Sequence, residues 1–391
     1  MVTQDEQPIL WRQVGGLSAI LAAATFSWMA YGFFQPKLLQ ELGFLELAAW
    51  LAIIQGSIGA IIEPIVGDLS DRVQHRLGSR LPLITAGVTA AGLIFVSIAL
   101  LLQWHIPPDL HWIVPVLMTV WVMAMIVFRG PVMGLLLQAA PLSALPQANS
   151  LLMVVFGLMG ALGPFWTLMF QNVGAAITFM LGAIALMVGG AVLYSGAPRQ
   201  HLFPIRETVR KPVSWQRMGW LFGVGLGSGL EVNVLLRTFP HNLQTQFPML
   251  GANGITALIL LISALSAYPL KWWMPKMAVG RTLLVGCLAI ALCQALLLLS
   301  LNPIFSLGLI LAGGIAFGIV FKYQVPFALG ALPPSRAGLG TGLYFGAIGA
   351  STAILSLLLL QWGPFGVATG LGVNVGALGI ATLSLRAFKL V

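Results

Sequence analysis

Twelve apolar stretches, separated by short polar gaps, run along the 391-residue chain. A membrane helix needs ~20 apolar residues to cross ~30 Å of hydrocarbon. Runs of about that length fall near 14–36, 45–67, 81–103, 112–136, 147–171 and 173–195. After a polar stretch they resume near 217–240, 250–272, 281–301, 303–328, 339–360 and 364–386. The pattern predicts an all-α membrane protein of twelve spans. The longest gap is basic and interrupted by Pro198, Pro204 and Pro212. It divides the chain into a six-helix half over 1–196, a linker over 197–216 and a second six-helix half over 217–391.

Composition sharpens this picture. Only 7% of residues are charged and 59% are hydrophobic, whereas a soluble domain carries roughly 25% charged residues. Most of the surface therefore faces lipid. The net charge of +9 would suit a nucleic acid, but the cations sit in the polar gaps and report orientation instead. Placing the N-terminus in the cytoplasm puts fifteen of the nineteen lysines and arginines on that side. They are Arg12; Arg72, Arg76 and Arg80; Arg199, Arg206, Arg210, Lys211 and Arg217; Lys271, Lys276 and Arg281; Arg336; and Arg386 with Lys389. Both termini are expected to be cytoplasmic, in the plasma (inner) membrane. The polar lead MVTQDEQPILWRQ has no small-residue cleavage site after it and reads as a retained segment.

Enzyme chemistry finds no foothold. Cys287 and Cys293 lie six apart in one run, on different helix faces, and read as packing residues. His75, His105, His111, His201 and His241 lie in or beside loops. No metal-ligand spacing, nucleophile arrangement or paired-carboxylate site appears, so neither metal nor cofactor is expected. Glycines at 223, 225, 227 and 229, and at 338, 340, 342, 346 and 349, clear faces on which helix backbones approach closely in lipid. An internal repeat supports the two halves: IVFRGPV at 126–132 resembles IVFKYQV at 319–325, in the fourth and tenth runs.

The segment EPIVGDLSDRVQHRLGSRLPLI at 63–84 carries a more specific signal. Its Pro64, Gly67, Ser70, Asp71, Arg72, Arg76, Gly78, Arg80 and Pro82 resemble the loop motif of the major facilitator superfamily. The spacing is similar to that of the sugar-symporter branch, which includes plant sucrose transporters and the bacterial melibiose group. The resemblance implies two parallel six-helix repeats, alternating access, and a sugar as solute. Relatives commonly carry an acid nine positions after the fourth-span arginine, where this chain has Gln138. Glu63 matches the second of two cation-coupling acids of the melibiose group, and the first falls at Gly59. Read from the residues alone, Asp68 and Asp71 follow the end of one helix and three arginines precede the next. Opposite charges there can latch the halves in one state or serve topology alone.

Ionisable groups inside the spans are functional candidates by default. Glu63, Arg129 and Lys322 fall at similar depth in the cytoplasmic third, which suggests a network, most simply Glu63 with Arg129. Arg129 and Lys322 are candidates for gating, for binding an anionic substrate, or for reaching the interface. Glu231 lies about 21 Å into the seventh run, farther from both interfaces than any other acid. It is the proton-coupling candidate, with Glu63 second. The alternative is an ion pair with Arg237, which six residues place on a different helix face. Trp28, Tyr31, Trp121, Asn233, Tyr323, Gln324 and Tyr344 are candidates to line a solute cavity.

These readings converge on a monomeric, proton-coupled transporter of a small polar solute. A non-transporting accessory of the same fold, handling pigment or assembly, is the alternative.

Overall fold

A computed structural model of the chain describes residues 9–104, 107–196, 212–273, 277–299 and 302–390. His105, His201, Lys276 and the stretch with Arg199, Arg206, Arg210 and Lys211 lie outside them. The described residues form helices and turns without a strand. That follows from the solvent, because in hydrocarbon a helix pairs its backbone groups within its own segment.

The first half comprises α1 (Trp11–Glu41), α2 (Leu45–Leu77), α3 (Leu81–Gln103), α4 (Ile113–Gly134), α5 (Leu145–Ala161), α6 (Gly163–Val173) and α7 (Ala175–Gly196). The second comprises α8 (Trp215–Asn233), α9 (Gly251–Ser266), α10 (Val279–Leu296), α11 (Pro303–Ala331), α12 (Ala337–Trp362) and α13 (Val367–Leu390). Helices α5 and α6 make one crossing, broken at Leu162. Pro164 at the start of α6 has no N–H to offer the Gly160 carbonyl. Among the described residues, eleven crossings are long and apolar enough to span by themselves, and a further one, α9, has 16 residues. The run predicted at 250–272 is thus cut short. Pro269 leaves the Leu265 carbonyl without a donor, and only a short turn, Leu270–Trp273, follows.

A second correction concerns α2. It continues to Leu77 and ends on Gly78, whose φ of 73° suits glycine. Asp68, Asp71, Arg72 and Arg76 are therefore helical, in nearly three turns that extend α2 past its apolar run, and do not lie in a loop. His75 and Arg76 in the last turn complement the helix dipole there.

Several chain ends share one face. The Leu10 amide donates to the Ala139 carbonyl at 2.8 Å, and Arg12 reaches the Ser195 carbonyl at 3.2 Å. Arg217 donates to the Ala331 carbonyl at 3.1 Å and stands 4.9 Å over the Phe388 ring. This is the basic face of the protein, and the opposite one is the distal face.

Within the halves, α1 packs on α7, α3 on α4 and α7, and α8 on α12 and α13. Between them, α2 packs on α12, and α5 on α9 and α11. The glycine faces make these contacts. A methyl at Gly225 would stand 2.6 Å from the Tyr344 carbonyl, and one at Gly227 2.6 Å from that of Ala377. Neighbouring positions on α8 thus serve α12 and α13 alternately. Gly338, Gly342 and Gly346 bring α12 against Gly67, Glu63 and Pro64 of α2. The joint between halves is backbone on backbone, the geometry small residues permit in lipid.

Candidate functional site

A cavity of about 770 Å³ lies between the halves, lined by α1, α2, α4, α5, α6, α9 and α12 and by Arg237 in the turn Val234–Thr238 that follows α8. Its first-half wall carries Trp28, Met29, Tyr31, Phe33, Phe128 and Phe170, with Thr25, Gln35 and Gln55 among them. Tyr31 accepts a 2.6 Å bond from Gln55 and stacks 4.7 Å from Trp121, which stacks 4.3 Å from Phe95. The second half contributes Arg237, Asn253, Thr256 and Thr352.

Toward the basic face the cavity is closed by two groups of contacts. Asp71 accepts from the Gly338 and Leu339 amides, both at 2.8 Å. Those are first-turn N–H groups of α12, which its own Arg336 does not cap. A carboxylate from the first half therefore caps and neutralises a helix end of the second. Arg80, itself buried, holds Asp71 at 2.7 Å, donates to Gln74, and is packed against Gly134. Asp68 pairs with Arg72 in its own helix at 2.8 Å and with Arg336 across the interface at 2.6 Å. Arg76 is exposed and makes no such pair among the described residues. The second group joins α5 to α11. Asn149 donates to the Phe321 and Lys322 carbonyls at 3.0 Å. Pro326 offers no N–H to the Lys322 carbonyl, so Asn149 supplies the missing donor.

Glu63 and Arg129 form an ion pair on the cavity wall, with Arg129 also 5.4 Å from the Phe345 ring. Lys322 does not join them. It is buried, donates to the Ala267 carbonyl at 3.1 Å, and lies off the cavity wall. The sequence repeat gives Arg129 and Lys322 equivalent places in the chain, but the two halves turn these faces toward different neighbours.

Of the seven predicted cavity residues, Trp28 and Tyr31 line the wall. Trp121 stands behind Tyr31, fully buried. Tyr344 is buried against Ser228 at 2.7 Å, and Asn233 bonds Ser351 at 3.1 Å and Thr352 at 3.2 Å. Tyr323 is packed with Met153 and Leu270, and Gln324 is buried in α11. These five lie off the wall because aromatic and amide side chains in lipid serve helix contacts as readily as cavities.

Glu231 also lies off the central cavity. It is fully buried inside the second half, and neither carboxylate oxygen has a hydrogen-bond partner among the described residues. Gly227, one turn before it, faces Ala377 and Ala381 of α13, and Cys287 of α10 lies within its electrostatic reach. Two turns toward the distal face, Thr238 and Gln294 meet over Gly370. Asn374, one turn from Gly370, falls between these levels. The Asn374 amide, the Gln294 carbonyl oxygen and the Thr238 hydroxyl also have no partner among the described residues. Buried polar atoms of this kind are ordinarily satisfied, by water if not by protein. These groups form a polar column in the sense that they stand at successive levels from Glu231 toward the distal face. The sequence signal for it was weak, because Gln294, Asn374 and Thr238 are single polar residues in apolar runs.

No family model matches the chain. Solved structures do. The human organic anion transporter MFSD10 (TETRAN) superposes with a TM-score of 0.64 at 15% identity, over 96% of this chain and all of that one. A bacterial homologue of the iron transporter ferroportin, in an outward-facing state, superposes with a TM-score of 0.71 at 14% identity, over 98% and 99% of the two chains. The fold is that of major facilitator transporters, in two six-helix bundles.

Proposed function

We propose that this chain is a secondary transporter that carries a small polar solute by rocker-switch alternating access. The observation that supports it most is the cavity between the halves, closed at one face by contacts that can be made and unmade. These are the Asp71 cap on α12, the Asp68–Arg336 pair and the Asn149 bonds. The basic face is the cytoplasmic one on the positive-inside rule, so the cavity is closed to the cytoplasm here. Asp68, Asp71, Arg80 and Arg336 form the gate, and Glu63 with Arg129 a charge pair just above it.

Coupling is assigned to the proton, with Glu231 as carrier and Glu63 as the second candidate. Glu231 reaches the distal face through the polar column and not through the solute cavity. The protein acts as a monomer in the plasma membrane. The resemblance of the 63–84 motif to sugar symporters makes a sugar the first solute to try.

The test is uptake. Purified protein in liposomes with an imposed pH gradient is offered a mixture of small metabolites, and the lumen is analysed by mass spectrometry. Accumulation of at least one species, collapsed by a protonophore, is expected. Fold without flux would overturn transport and favour the accessory role. Orientation is checked separately. An impermeant thiol reagent applied outside cells should label a cysteine placed at Asp109 and spare one at Arg206, and the reverse pattern would invert the topology.

A further inference from the structure

We propose that the transported solute is an organic anion with an apolar body, and that Arg237 is the residue that recognises its charge. The proposal rests on the transport reading and puts an anion in place of the sugar as solute. It starts from a local irregularity. Pro240 has no N–H for the Leu236 carbonyl, and its ring crowds that oxygen. The chain responds with a widened turn over Val234–Thr238, in which each carbonyl reaches one residue farther than in an α-helix. The Thr256 hydroxyl of α9, which donates to the Ala252 carbonyl of its own helix at 3.0 Å, also stands 3.3 Å from the freed Leu236 carbonyl. Widened turns of this type concentrate at functional sites, because the added residue re-aims the side chains around it.

Here the side chain re-aimed is Arg237. It lies exposed on the cavity wall and donates to the Ser356 hydroxyl at 3.1 Å. No carboxylate pairs with it among the described residues. The other charged groups on that wall, Glu63 and Arg129, neutralise each other. The cavity therefore holds one positive charge that no protein carboxylate compensates among the described residues. A neutral sugar leaves that charge unpaired, whereas an anion compensates it. Asn253, Thr256 and Thr352 stand on the same half; the Asn253 amide can donate to an anionic head, whereas the Thr256 and Thr352 hydroxyl protons are already given to backbone carbonyls. The wall across from them is mainly aromatic and apolar, with Trp28, Met29, Phe33 and Phe170, and its polar side chains Thr25, Gln35 and Gln55 are uncharged. The division of the walls selects a ligand with a charged end and a hydrophobic one.

The experiment measures binding, so it does not depend on flux. The protein is held in nanodiscs of zwitterionic lipid, and cavity tryptophan fluorescence is titrated with three probes of the same body. These are 1-naphthalenesulfonate, 1-naphthalenemethanol and 1-naphthyltrimethylammonium. The sulfonate should quench saturably and bind the most tightly of the three. Arg237→Gln should weaken it by about tenfold or more, Arg237→Lys should restore much of the loss, and the alcohol should be indifferent to both. Thermal melting verifies that the variants fold. Sulfonate binding no tighter than that of the alcohol, or unchanged in Arg237→Gln, would overturn the proposal and leave Arg237 as an arginine reaching for the interface. Charge-selective binding without uptake of any anion would sink the transport reading alone.

Discussion

Asp71→Ala should move the protein out of the state closed at the basic face. Asp71 is the one carboxylate that touches both α12 amides, Gly338 and Leu339. Hydrogen bonds to a charged acceptor are worth about 1.5–3 kcal/mol each, and these two exist only while the halves meet at that face. Their loss should favour the opposite state by at least tenfold. A cysteine at Thr25, on the cavity wall, should then react with an impermeant thiol reagent from the basic side, where it is protected in the parent protein. Folding stability should fall as well, by about 3–5 kcal/mol, because Arg80 is left as a buried cation without its partner. Asp71→Asn keeps acceptor and shape and should give an intermediate effect. Arg72→Ala is the contrast. Its pair with Asp68 lies within one helix, and its side chain is 59% exposed, so a loss of about 0.5 kcal/mol or less is expected. If cavity labelling stays unchanged in Asp71→Ala, the motif serves topology and not gating.

Glu231→Gln is expected to abolish proton-driven accumulation while sparing solute binding and counterflow exchange. The substitution keeps size and hydrogen-bonding capacity but cannot release a proton. Because Glu231 lies off the solute cavity, direct loss of binding is not expected. The polar column adds a second expectation. Asn374→Leu and Thr238→Val should slow proton-driven uptake yet leave exchange intact, since they interrupt the route to Glu231 and not the carrier. Hydrophobic carbodiimides, which react with protonated carboxylic acids in apolar surroundings, should modify Glu231 in the parent and not in Glu231→Gln. Unchanged uphill transport in Glu231→Gln would refute the coupling role and turn attention to Glu63.

Much of the architecture was legible along the chain. Twelve apolar runs predict helices because lipid leaves the backbone no other way to pair its polar groups, and the basic gap marks the division into halves. The errors were local and have local causes. Pro269 shortened the eighth crossing, Pro164 split the fifth, and α2 outran its apolar stretch because a helix does not stop where the bilayer does. Period and length locate a span, but they do not report how far its hydrogen bonds continue outside it.

The site was legible in its residue types and not in its grouping. The sequence by itself determined which ionisable groups fall within or at the ends of the apolar runs: Glu63, Arg129, Glu231, Arg237 and Lys322. Their cost in lipid picks them out whatever the fold. Only the tertiary structure decided which of them meet. It placed Glu63 with Arg129 on the cavity wall, sent Lys322 to the Ala267 carbonyl, and buried Glu231 inside the second half without a hydrogen-bond partner among the described residues. It also turned Arg237, read along the chain as a possible partner for Glu231, out into the cavity. The physical reason is rotational. A helix presents each side chain to one of several neighbours, and the choice is fixed by the glycine contacts that seat α8 against α12 and α13 and by the widened turn before Pro240, neither of which the residue's own type encodes.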